Sequence, residues 1–65
     1  MYIVVVTDTR AVMQFTADRA VESDCDIIFY TGRDRVWMRK IDIYCWREFS
    51  SGMEAAFFVQ QRSGQ

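Results

Sequence analysis

The chain contains no histidine, proline, leucine or asparagine. Histidine is the commonest general base near neutral pH and the commonest zinc ligand. Without it, no Ser-His or Cys-His nucleophile can be assembled within one chain. Lack of proline removes slow prolyl isomerisation from the folding expected here. Leucine is a leading helix-core residue, and its absence leaves Val and Ile to supply the aliphatic mass, supported by Thr, Phe, Tyr and Trp. Branching at Cβ favours the pleated strand and costs rotamer freedom in a helix. No apolar run approaches the roughly 20 residues that a membrane-spanning helix needs. The two cysteines, Cys25 and Cys45, match no zinc or redox spacing.

What is present is apolar material in a short chain. Of 65 residues, 51% are hydrophobic and 15% aromatic. A domain of this size buries only about 60% of the surface its unfolded chain exposes, so some apolar side chains must stay outside. A partner chain, often a second copy, is the simplest cover for them. Formal net charge is −1, giving no global attraction to nucleic acid or anionic membrane. Residues 1–32 hold two arginines against five acids, and residues 33–65 hold six cations against four acids. The halves are thus of opposite sign and can attract each other within or between chains.

Tyr2 to Thr7 is a continuous β-branched run, the mark of a strand buried on both faces. Ala11 to Ala17 alternates, with Ala11, Met13, Phe15 and Ala17 sharing one side, and the two segments read as a hairpin. Residues 18–25 have poor strand character, and Asp18 is placed to cap one short helix near 18–24. Asp26 to Thr31 is a strand. Gly32-Arg33 follows, with Gly at the first central position of a type II′ turn. That turn pairs Thr31 with Asp34, Tyr30 with Arg35, Phe29 with Val36 and Ile28 with Trp37. The inner face then carries Ile27, Phe29, Val36 and Met38, and the outer face Ile28, Tyr30, Arg35 and Trp37.

Farther along, Ile41, Ile43, Cys45 and Phe49 have parity opposite to Val36 and Met38. A one-residue slip flips every side chain, so a bulge near Arg39-Lys40 is expected to restore the face. It sends Ile41, Ile43 and Cys45 inward, and Tyr44 and Trp46 outward. A helix over 36–49 is the weaker alternative. Ser50-Ser51-Gly52 interrupts the pattern. Met53 to Val59 then reads as a strand by alternation, or as a helix capped by Ser51 with Glu54 completing the capping box; alternation favours the strand.

The resulting expectation is a mainly β protein: a small antiparallel sheet or barrel of about five strands, with one short helix near 18–24. Residues 1–62 form a single domain and 63–65 a frayed tail. With strand pattern running from residue 2 to near 60, a whole small protein without a signal peptide is expected, and with it a cytoplasmic location.

Tyr30 to Arg47 holds both tryptophans and five of the eight cations. Trp, Tyr and Arg are enriched at interface hot spots, because they bury large rigid area and keep a polar handle. The candidate interface is Ile28, Tyr30, Arg35, Trp37, Tyr44 and Trp46. The competing structural explanation is a second small core beneath residues 18–25. A third reading is single-stranded nucleic acid, whose bases stack on aromatics while cations track phosphates; Asp34, Asp42 and Glu48 in the same stretch weigh against it. Asp18, Glu22, Asp24 and Asp26 lack the glycine and terminal Glu of a calcium loop, so a solvated acidic loop is expected there. The cysteines are expected to be structural free thiols. No catalytic residue, cofactor or metal site is expected. The function expected is a non-catalytic interaction or regulatory protein. It would associate with itself, first as a dimer, through the aromatic and arginine face, and modulate a larger partner. The alternative is a single-stranded nucleic-acid-binding module.

Overall fold

Residues 3–6 of the first strand are shielded on both sides, as a continuous β-branched run requires. In the computed structural model, which describes residues 1–63, the chain forms six strands, a 3₁₀ turn and one helix. The strands are β1 (Tyr2–Thr7), β2 (Val12–Thr16), β3 (Arg19–Glu22), β4 (Asp26–Thr31), β5 (Asp34–Arg39) and β6 (Ile43–Phe49). The 3₁₀ turn spans Lys40–Asp42, and α1 spans Gly52–Ser63. The strands form two antiparallel three-stranded sheets, ordered β2-β1-β6 and β3-β4-β5.

Between the sheets lies one core. Ile3 and Val5 of the first sheet meet Ala17 and the second sheet's Ile27 and Phe29, all buried. Phe15, Ala20, Val36, Met38, Ile43 and Trp46 pack around them. Phe29 is its centre: the Phe15 ring lies 5.2 Å away and the Trp46 ring 5.3 Å away, both edge-on, the arrangement the ring quadrupole favours. The other side of β1 carries Val4 and Val6, also buried. There α1 packs against β1 and β6, with Ala55 wholly buried and the Phe58 ring 5.4 Å from Phe49. Gly52 lies so close to Tyr2 that a Cβ would come within 3.3 Å of its ring.

The β4–β5 hairpin has the register its turn demands, with Thr31 opposite Asp34 and Ile28 opposite Trp37. Gly32 has φ of +55° and Arg33 is not left-handed, the backbone pattern of a type II′ turn.

Several expectations need correction. Residues 19–22 form a strand, not part of a helix: they fill the open edge of β4, with Ala20 opposite Phe29 and Val21 opposite Ile28. The Asp18 carboxylate caps no helix, and instead accepts the Gly32 N–H at 2.8 Å. This adds a sixth strand and divides the sheet in two. Residues 53–59 are helical, because the Ser51 hydroxyl accepts the Glu54 N–H at 3.2 Å and satisfies a first-turn donor. No bulge forms at Arg39-Lys40; the 3₁₀ turn carries the chain from one sheet to the other, tied down by Lys40 N–H to Cys25 C=O at 2.8 Å. The phase change comes later. Val6 faces Cys45 and Thr7 faces Ile43, leaving Tyr44 as the extra residue on β6. Ile43 therefore points into the core. Cys45 lies opposite Val6 on the α1 side, and Ile41, on the turn, is 70% exposed. Of the tail expected at 63–65, Ser63 closes α1, and 64–65 lie outside the described residues.

Candidate functional site

The outer face of the β3-β4-β5 sheet presents two cross-strand rows. The first is apolar: Val21, Ile28 and Trp37 stand side by side on three adjacent strands. Val21 is 45% and Trp37 57% exposed. The second is Arg19, Tyr30 and Arg35, with the Arg19 guanidinium 4.4 Å above the Tyr30 ring. A cation over an aromatic face is attracted by the ring quadrupole, and here it also fixes the long Arg side chain against the sheet. A third pair, Asp26 and Arg39, closes the face towards the 3₁₀ turn.

The face is cationic. Arg19, Arg35 and Arg39 share it with one acid, Asp26. The acids that weakened an electrostatic reading of the sequence lie elsewhere. Asp34 shares parity with the inward Val36 at the hairpin tip, Asp42 belongs to the 3₁₀ turn, and Glu48 is on β6 of the other sheet.

Four of the six expected interface residues come together here: Ile28, Tyr30, Arg35 and Trp37. The other two do not. Trp46 faces inward and is partly buried against the core, edge-on to Phe29 and opposite Val5. Tyr44, the bulged residue, is 54% exposed on the first sheet, and its ring is stacked by the Arg10 guanidinium at 3.5 Å. Arg10 holds a left-handed backbone, φ 71°, a conformation costly for any residue with a Cβ. Comparison with known proteins finds no family model that matches the chain, and no curated protein or solved structure that matches it significantly.

Four residues of the face were not expected from the sequence: Arg19, Val21, Asp26 and Arg39. The signal for two was present, since reading 19–22 as a strand puts Arg19 and Val21 on one side by alternation. A second apolar surface was also missed. Met53 is 83% and Phe57 61% exposed on α1. Together with Phe49 and Phe58 they line a groove of about 570 Å³.

The acidic segment has structural partners. Asp18 holds the hairpin tip, and Glu22 pairs with Lys40 at 2.8 Å, locking β3 to the 3₁₀ turn. Ser23 and Asp26 close a turn between them, N–H to C=O at 2.9 Å. Among the described residues, no three His, Cys, Asp or Glu side chains gather where one ion could be held. Cys25 and Cys45 are free thiols. No described helix is long and apolar enough to cross a membrane.

Proposed function

We propose that this chain is a small, non-catalytic interaction protein whose contact face is the outer side of the β3-β4-β5 sheet. The observation that carries this reading is the uncovered Val21–Ile28–Trp37 row set beside Arg19, Tyr30 and Arg35. Trp and Arg anchors around a desolvatable apolar strip are what binding hot spots consist of. On the first sheet's outer side α1 covers β1 and β6, while the whole of this face is left to a partner. Three arginines against one acid make two copies of the face repel each other, so it suits an acidic protein surface better than its own image. Such a partner would be the larger protein that this chain modulates. Two free thiols fit a cytoplasmic setting, where thiols stay reduced.

Affinity capture with the tagged chain tests the reading against Trp37→Ala and Arg35→Ala variants that keep the wild-type circular dichroism and melting temperature. The expected result is a protein retained by wild type and lost by both variants. A partner held equally by all three puts the contact elsewhere.

One observation favours a second reading, binding of single-stranded nucleic acid: the face is free of Asp34, Asp42 and Glu48. Base stacking contributes roughly 1–3 kcal/mol per base. Here Arg19 already covers one side of Tyr30, leaving Trp37 as the open ring. In a Trp46→Phe variant, Trp37 is the sole tryptophan. Quenching by oligonucleotides that falls steeply with added salt supports this reading, and no quenching at low salt ends it.

A further inference from the structure

We propose that the chain dimerises along a different surface, the free edge of β2, by antiparallel pairing with β2 of a second copy. A sheet edge is a row of unpaired N–H and C=O groups that invites another strand. This fold has four such edges, on β2, β6, β3 and β5. Three are guarded. β3 is four residues long and carries Arg19 and Glu22. β5 carries Asp34, Arg35 and Arg39. β6 carries Arg47 and Glu48 and is bulged at Tyr44. Short length, charge and bulges are the devices that keep edges apart. β2 has none of them: from Ala11 to Ala17 the chain has no charge, proline or glycine, and β2 pairs without register shift along its whole length.

The hydrogen bonds identify the groups left free. Thr7 donates to Ala11 C=O at 2.8 Å, and Met1 and Ala17 exchange both bonds, at 2.8 and 2.9 Å. Residues 11 and 17 therefore turn their backbone groups towards β1. In an antiparallel ladder this alternates, so Met13 and Phe15 do the same, and Val12, Gln14 and Thr16 point theirs outward. The side chains of all three are exposed. A two-fold axis at Gln14 pairs Gln14 with its own copy and Val12 with Thr16 on each side. About six hydrogen bonds form across it, two per pair, and the two first sheets join into one of six strands. The contact is self-complementary and closes at two copies.

Sedimentation of the full chain from roughly micromolar to millimolar concentration tests this. The expected result is a concentration-dependent dimer. Gln14→Lys places like charges directly opposite at the axis and leaves a monomer of unchanged circular dichroism, and Gln14→Glu does the same. Mixing the two variants restores the dimer, because Lys then faces Glu. Gln14→Pro, which removes an outward N–H and leaves the bonds of β2 to β1 in place, also gives a monomer. Trp37→Glu leaves the dimer intact, which separates this edge from the partner-binding face. A wild-type chain that stays monomeric throughout overturns the proposal. So does a dimer that survives both Gln14→Lys and Gln14→Pro, or one lost only with Trp37→Glu.

Discussion

Replacing each tryptophan in turn separates the core from the contact face. Trp46 packs edge-on against Phe29, 5.3 Å between centroids, and stands opposite Val5. Truncating a buried Trp to Ala costs about 3–5 kcal/mol. Trp46 keeps some exposure, so Trp46→Ala is expected at the lower end, about 3 kcal/mol. Whole-domain stability of roughly 0.05–0.15 kcal/mol per residue gives about 3–10 kcal/mol for this chain, so the variant loses roughly 30% or more of it. In a domain this small, each kcal/mol moves Tm by about 4–8 °C, giving a fall of roughly 12–24 °C. Trp46→Phe keeps a ring against Phe29 and is expected to cost about 1 kcal/mol. Trp37 is on the outer face, 57% exposed. Trp37→Ala loses its cross-strand neighbour Ile28 and the strand preference of an aromatic, and is expected to cost about 1 kcal/mol, well below Trp46→Ala. Urea unfolding followed by far-ultraviolet circular dichroism measures all three, at constant m. Equal costs for Trp37→Ala and Trp46→Ala, or a neutral Trp46→Ala, would refute the assignment of faces.

Gly32→Ala meets nothing within 4 Å, so its cost is conformational alone. At φ of +55° an expected loss of about 1–2 kcal/mol is read from the thermal midpoint, and an unchanged midpoint contradicts the turn. Ser51→Ala removes the cap on Glu54 N–H and is expected to cost about 1 kcal/mol. Hydrogen exchange should show the loss concentrated in the first turn of α1, and uniform protection would contradict it. Arg10→Gly relieves a left-handed backbone worth about 1–2 kcal/mol and gives up an exposed cation–π contact worth about 0.5–1 kcal/mol. A small net gain in Tm is expected, and a clear loss would mean that the Tyr44 contact dominates.

Local chemistry made parts of this fold readable. Gly32 in its turn set the β4–β5 register residue by residue, and the β-branched run at Ile3–Val6 marked the most buried strand. Hence the turn alone places Ile28, Tyr30, Arg35 and Trp37 on one face. The misreadings have tertiary causes. Arg19–Glu22 has weak strand propensity and becomes β3 because β4 offers an edge to pair with. Met53, Ala55, Phe57 and Val59 alternate like a strand, yet the Ser51 cap and the packing of α1 on β1 make them helical. Trp46 turned inward because the extra residue on β6 is Tyr44, placed where β1 ends and its loop begins. Such a position depends on the partner strand, and parity along β6 alone does not reveal it.

The contact face depends on one outward aromatic flanked by cations, with the other tryptophan packed against the core. Quenching of single-tryptophan variants by iodide and by caesium, at matched low ionic strength, tests this most directly. Trp37, with Arg35 and Arg39 beside it on the same face, should be quenched strongly, and more by the anion than by the cation relative to free tryptophan. Trp46, partly buried, should be quenched much less by both. Equal quenching of Trp37 by the two ions, or a Trp46 as accessible as Trp37, would contradict this arrangement of the two tryptophans.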